Sequence, residues 1–106
     1  MSASDDYRQR RYSRSLVAAL ISEALGDTER AVTEFEDAIQ DAESVFARPE
    51  AAITRIEYAS VLINRGAPGD RGKVTDLHDE VIAVSQELGM KSFLARVLAD
   101  REILMA

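Results

Sequence analysis

The sequence predicts an all-α fold, with five helices forming two antiparallel hairpins and a C-terminal capping helix. Three observations carry the expectation. Apolar residues recur at spacings of three and four along almost the whole chain. Each such run is bounded by Gly or Pro. The pattern also repeats: Ala19 stands seven residues before Gly26, and Ala59 stands seven before Gly66. An Asp-led helical run follows each turn, Asp27-Thr28-Glu29-Arg30-Ala31-Val32 in the first copy and Asp70-Arg71-Gly72-Lys73-Val74 in the second. The second copy is longer by Ala67-Pro68-Gly69 in its turn. Self-similarity at this period marks stacked helical hairpins. Such arrays usually bind other proteins and rarely carry chemistry.

The elements follow in order. Residues 1–7 are polar and are expected to fray. A first helix begins between Tyr7 and Ser13 and runs to Leu25, with Leu16, Ala19, Leu20 and Leu25 at helical spacing. Gly26 stops it, because a residue without Cβ takes φ > 0 at no steric cost. Asp27 caps a second helix that runs to about Phe46, and Glu29 lies in the first turn, where the helix dipole favours an anion. Its apolar stripe is Ala31, Val32, Phe35, Ala38, Ile39, Ala42 and Phe46. Pro49 suits the first turn of a third helix, where its missing N–H costs nothing. That helix carries Ala52, Ile53, Ile56, Ala59, Leu62 and Ile63, and Gly66-Ala67-Pro68-Gly69 ends it. Asp70 is read as the N-cap of a fourth helix bearing Val74, Leu77, Val81, Val84 and Leu88, with Gly72 a weak point in its first turn. Gly89 closes that helix. A fifth runs from about Lys91 to Leu104, with Phe93, Leu94, Val97, Leu98 and Leu104 on one side. Short connections imply antiparallel neighbours.

Composition narrows the function. A chain of 106 residues reads as one domain, 1–106. With no Cys, disulfides, thiolate metal sites and a Cys nucleophile are excluded, and the single His excludes multi-His metal sites within one chain. No apolar run approaches the roughly 20 residues of a membrane span. The start, Met1-Ser2-Ala3-Ser4-Asp5-Asp6, lacks the regions of a signal peptide. A cytoplasmic protein without a membrane partner is expected. The net charge of −6 disfavours nucleic acid. Charge is uneven, with Arg8, Arg10, Arg11 and Arg14 preceding an acidic second helix that holds Asp27, Glu29, Glu34, Glu36, Asp37, Asp41 and Glu43. Two readings stand: solvated faces paired within the chain, or the basic start of one copy against the acidic helix of another.

The run Gly26, Asp27, Ala31, Phe35, Ala38 resembles the second half of the tetratricopeptide repeat, and Ala19 and Ala59 fall where its helices approach closely. In the second copy Val74, His78 and Val81 replace Ala31, Phe35 and Ala38. The segment Tyr58-Ala59-Ser60-Val61-Leu62, followed by Arg65-Gly66, Pro68-Gly69-Asp70-Arg71 and Glu87-Leu88-Gly89-Met90, is similar to the C-terminal tetratricopeptide tails of large bacterial signalling ATPases, namely maltose-activator-type regulators and cyclase-linked ATPases. The resemblance covers about residues 13–100. The Walker motif, cyclase domain and helix-turn-helix signature of those larger proteins do not occur in this sequence.

The resemblance also implies a register. The first helix of each hairpin lines a concave face, which places Ser13, Leu16, Leu20 and Glu23 there, then Ile53, Ile56, Ser60, Ile63 and Asn64, then Leu94, Val97, Arg101 and Leu104. Leu16, Leu20, Ile53, Ile56, Ile63, Leu94, Val97, Arg101 and Leu104 are the candidate protein-binding residues. The family's clamp for a C-terminal carboxylate uses Lys, Arg and Asn; Leu, Ile or Val stand at those positions here. The aliphatic lining either packs within a short curved bundle or receives a partner.

Catalytic patterns are weak. His78 lies near a buried stripe and reads as a packed, hydrogen-bonded histidine, with no second His or Cys to complete a site. Asp76, Asp79 and Glu80 beside it lack the alternation and Gly of an EF-hand. No Glu-x-x-His pair for a di-iron bundle and no phosphate-binding loop occurs. No catalytic, metal or cofactor residue is assigned. The expected function is a protein-interaction or scaffolding module whose partner is another protein or peptide and which also self-associates as a homodimer, through the apolar face of the fifth helix from Phe93 through Leu94, Val97, Leu98 and Leu104 to Met105. The alternatives are a regulatory or sensor fragment of a larger bacterial regulator, and an enzyme with an unrecognised carboxylate site.

Overall fold

A computed structural model describes residues 14–105. The expected start of the first helix, the fraying of 1–7 and the arginines Arg8, Arg10 and Arg11 lie outside the described residues. Five helices follow one another: α1 (Arg14–Ala24), α2 (Thr28–Ser44), α3 (Arg48–Arg65), α4 (Asp70–Leu88) and α5 (Lys91–Met105). Among the described residues there is no strand, and the fold is all-α as the periodicity predicts. Contacts gather into two compact units, Met1–Thr54 and Arg55–Ala106, and the division falls within the span of α3.

In the first unit α1 packs on α2. Leu16, Ala19 and Ser22 face inward from α1, and Ala31, Phe35, Ala38, Ile39 and Ala42 from α2. Ala19, Ala31 and Ala38 have essentially no exposed surface. Small residues there bring the helix backbones close enough for Phe35 to be fully enclosed, a burial worth about 1.5–3 kcal/mol. Polar bonds fix the register: Ser22 Oγ donates to Glu34 Oε1, and Ser15 Oγ donates to Asp41 Oδ2 at 3.0 Å. The turn is set by Gly26 at φ 82°, with Asp27 N–H donating to the Ser22 carbonyl at 2.9 Å. Asp27 caps α2 by accepting from the Arg30 N–H at 3.2 Å.

The end of α2 departs from the sequence reading. The helix stops at Ser44, and Phe46 lies outside it at φ 57°. The Ala47 N–H donates to the Ala42 carbonyl at 2.8 Å, and the Phe46 N–H to Glu43 at 3.1 Å. This is the helix-terminating arrangement that Gly26 makes after α1, with a phenylalanine in the glycine place. Phe46 is therefore turned out of the apolar stripe assigned to it and is 87% exposed.

In the second unit α3 contributes Ile56, Tyr58, Ala59, Val61 and Leu62 to the core, and α4 contributes Val74, Leu77, His78, Val81 and Val84. Helix α5 packs on α4, with Val97 and Asp100 buried. The cap of α4 also differs from expectation. Gly69, at φ 86°, occupies the N-cap without a side-chain bond, and Asp70 is the first helical residue. Gly89 ends α4 at φ 70°, where the Met90 N–H donates to the Ser85 carbonyl at 2.9 Å.

Candidate functional site

The first unit leaves an apolar strip on its surface. Val17, Ile21 and Leu25 follow one another at four-residue spacing, so their side chains share one face of α1. That face is turned away from the Leu16–Ala19 face that meets α2. Exposure rises along it, from 41% at Val17 through 55% at Ile21 to 80% at Leu25. Leu25, expected in the buried stripe, belongs to this outer strip because the buried face of α1 is carried by Leu16, Ala19 and Ser22. At the end of α2, Val45 and Phe46 are exposed as well. Isolated exposed apolar residues are ordinary, whereas a strip along one helix face is a contiguous apolar surface. Sequence reasoning missed Val17 and Ile21, although the adjacent pairs Leu16-Val17 and Leu20-Ile21 carried the signal of a helix apolar on two faces.

In the second unit, Leu98 and Ile103 on α5 are exposed, and Leu88 at the end of α4 is nearly half exposed. Arg96 sits beside them, with Nη1 3.6 Å from Glu57 Oε1 on α3 and Nε 3.7 Å from Asp100 Oδ2. Arg101 donates to Asp79 across the α4–α5 hairpin. A cleft of about 210 Å³ lies under the α3–α4 turn, lined by Leu62, Ile63, Ala67, Asp70, Arg71 and Val74 among others. It is smaller than the roughly 300–1,000 Å³ of small-molecule sites. Its carboxylate is already engaged: Asp70 accepts from Arg65 Nε at 2.8 Å, from Arg65 Nη2 at 2.6 Å and from the Ala67 N–H at 3.0 Å. The Arg65 bonds, ahead of burial acting in the opposite sense, hold the Asp70 carboxyl below the usual carboxylate range.

The candidate concave residues separate by exposure. Leu16, Ile56 and Val97 are buried and have no surface to offer a partner. Leu20, Ile53, Ile63, Leu94 and Arg101 are half-buried. The side chain of Leu104 lies outside the described residues, as does Ser13. Among the charged candidates, Glu34 is bonded to Ser22 and Asp79 to Arg101. Among the described residues no group of three or more His, Cys, Asp or Glu side chains is placed to hold a metal ion. No helix among them is long and apolar enough to cross a membrane.

No known protein family, no curated protein and no solved structure matches the chain. The functional reading therefore rests on the two helical units and what they expose.

Proposed function

We propose that this chain is a protein-interaction module of tetratricopeptide type that recognises another protein or peptide through exposed apolar helix surface and also associates with itself as a homodimer. The observation that carries the reading is the strip Val17, Ile21, Leu25 on α1. Three aliphatic side chains on one face, left in water, cost hydration free energy of about 25 cal/mol per Å² that a docked partner recovers. The Gly26-Asp27, Ala31, Phe35, Ala38 pattern of the first copy supports the family assignment, and the half-buried Leu20, Ile53, Ile63, Leu94 and Arg101 are the part of the proposed concave surface that retains exposure. The proposal assigns no catalysis, cofactor, nucleic acid or membrane, and carries with it a cytoplasmic location.

Sedimentation at micromolar concentration tests it. Wild type is expected to sediment as a dimer, and a Val17→Glu, Ile21→Glu double variant, which keeps the Leu16 and Ala19 core face intact, as a monomer. A wild type that is strictly monomeric, and whose double variant retains every protein that wild type captures from its native lysate, overturns the reading.

A further inference from the structure

We propose that the α4–α5 hairpin is an acid-sensitive latch, in which protonation of His78 releases α5 from α4. The inference is independent of which partner the chain binds and stands on the surroundings of the chain's single histidine. His78 has no exposed surface, and neither Nδ1 nor Nε2 has a hydrogen-bond partner. Val74, Leu77 and Val81 of the same helix are buried along with it. In the facing helix Asp100 is also buried, and its Oδ2 likewise makes no hydrogen bond. The hairpin core thus encloses an imidazole and a carboxylate that do not satisfy one another.

A neutral imidazole tolerates this enclosure at the cost of its unmade bonds. A charged imidazolium does not, because removing an ion from water without a partner is far more expensive. Burial, the largest influence, lowers the proton affinity of the ring below its ordinary value. Arg101 on α5 lowers it further, while Asp100 on α5 and Asp79 on α4 act in the opposite sense. The two acids are compromised as counterions, since Asp79 accepts from Arg101 and Asp100 lies toward Arg96. Other charges of the unit have partners of their own. Glu57 on α3 faces Arg96, Arg65 is held by Asp70, and Lys73 Nζ sits 5.8 Å from the Tyr58 ring centre.

The sign follows. With a folded-state pKa below the unfolded value of about 6.5, His78 contributes stability that is fully present above pH 6.5 and is lost as pH falls below it. The equilibrium constant for opening therefore rises as pH falls below 6.5, reaching at most about tenfold at pH 5.5, the limit in which the closed state stays wholly neutral. Opening of α5 would uncover Val97 and the part of α4 that it packs on, and so present new apolar surface under acid conditions.

Hydrogen exchange on the full chain tests the latch, with rates corrected for the intrinsic effect of pH. The α5 amides of wild type are expected to lose protection between pH 7.5 and pH 5.5, by up to about tenfold, while the α1 and α2 amides keep theirs. In His78→Phe the α5 protection is expected to be the same at both pH values. Because the chain has one His, its ring resonance needs no assignment, and it should titrate below pH 6.5 in the native protein. Unchanged α5 protection in wild type, an equal loss throughout α1 and α2, or a native ring titrating at or above pH 6.5 overturns the proposal. If His78→Phe fails to fold, His78→Leu takes its place, and the wild-type ring titration decides on its own.

Discussion

Arg65 grips Asp70 at two points, Nε to Oδ2 at 2.8 Å and Nη2 to Oδ1 at 2.6 Å, and so ties the last residue of α3 to the first residue of α4. The same carboxylate accepts the Ala67 N–H inside the turn. One side chain thereby closes the Gly66-Ala67-Pro68-Gly69 connection from both ends. Asp70→Asn keeps the shape but removes the charge, and is expected to lower the Tm at pH 7. The sign with pH is fixed by the depressed Asp70 pKa: its stabilisation is present above the ordinary carboxylate value near 3.8 and is lost as pH falls through the lower folded value. The Tm gap between wild type and Asp70→Asn should therefore be constant from pH 7 to pH 5 and close on further acidification. A gap that persists undiminished at pH 2 would show that the turn does not depend on this charge.

Ala31 has no exposed surface on the face of α2 that meets α1. Ala31→Leu adds three carbons where the helices leave no room, and should cost about 1–3 kcal/mol through overpacking. Thermal unfolding indistinguishable from wild type would mean that the α1–α2 register is not set by small residues.

Phe46 is held at a positive φ with its ring in solvent, so its conformation costs stability and its burial returns almost none. Phe46→Gly is expected to stabilise the chain by about 1 kcal/mol, because glycine adopts the left-handed region without a Cβ clash. If the ring serves recognition, the same variant binds its partner less tightly while melting higher. A variant that melts lower than wild type would contradict the strain argument.

At pH 7.5 His78→Phe should be neutral or stabilising. It replaces a ring with two unsatisfied nitrogens by an apolar ring of similar size in a fully buried position. Chemical denaturation at that pH checks it, and a loss of several kcal/mol would show that the nitrogens have a function in the folded chain.

The proposed homodimer has a second exposed apolar face to compete with α1, since Leu98 on α5 is about half exposed and Leu94 half-buried beside it. Leu98→Glu is expected to weaken a dimer built on α5 and to leave one built on Val17 and Ile21 intact. Light scattering of the two sets of variants separates the interfaces.

The sequence by itself determined the helix count and most of the punctuation. Gly26 and Gly89 end α1 and α4 because positive φ is cheap only for glycine, and Asp27 caps α2 because a short carboxylate reaches a free N–H without help from the rest of the fold. The burial of His78 was legible in the same way, from its place in a stripe. Only the tertiary structure decided which apolar residues are core. Leu16-Val17 and Leu20-Ile21 are equally hydrophobic neighbours, and a helix with apolar residues on two faces buries the one its neighbour covers: Leu16 is enclosed and Ile21 is left in solvent. The two other departures lie at helix ends. Phe46 takes a glycine conformation where the Phe46 and Ala47 amides turn back to the Glu43 and Ala42 carbonyls and close α2, a stop that the apolar periodicity does not mark. Asp70 is not the cap because Gly69 takes that position, and its carboxylate instead accepts from Arg65 and from the Ala67 N–H across the turn.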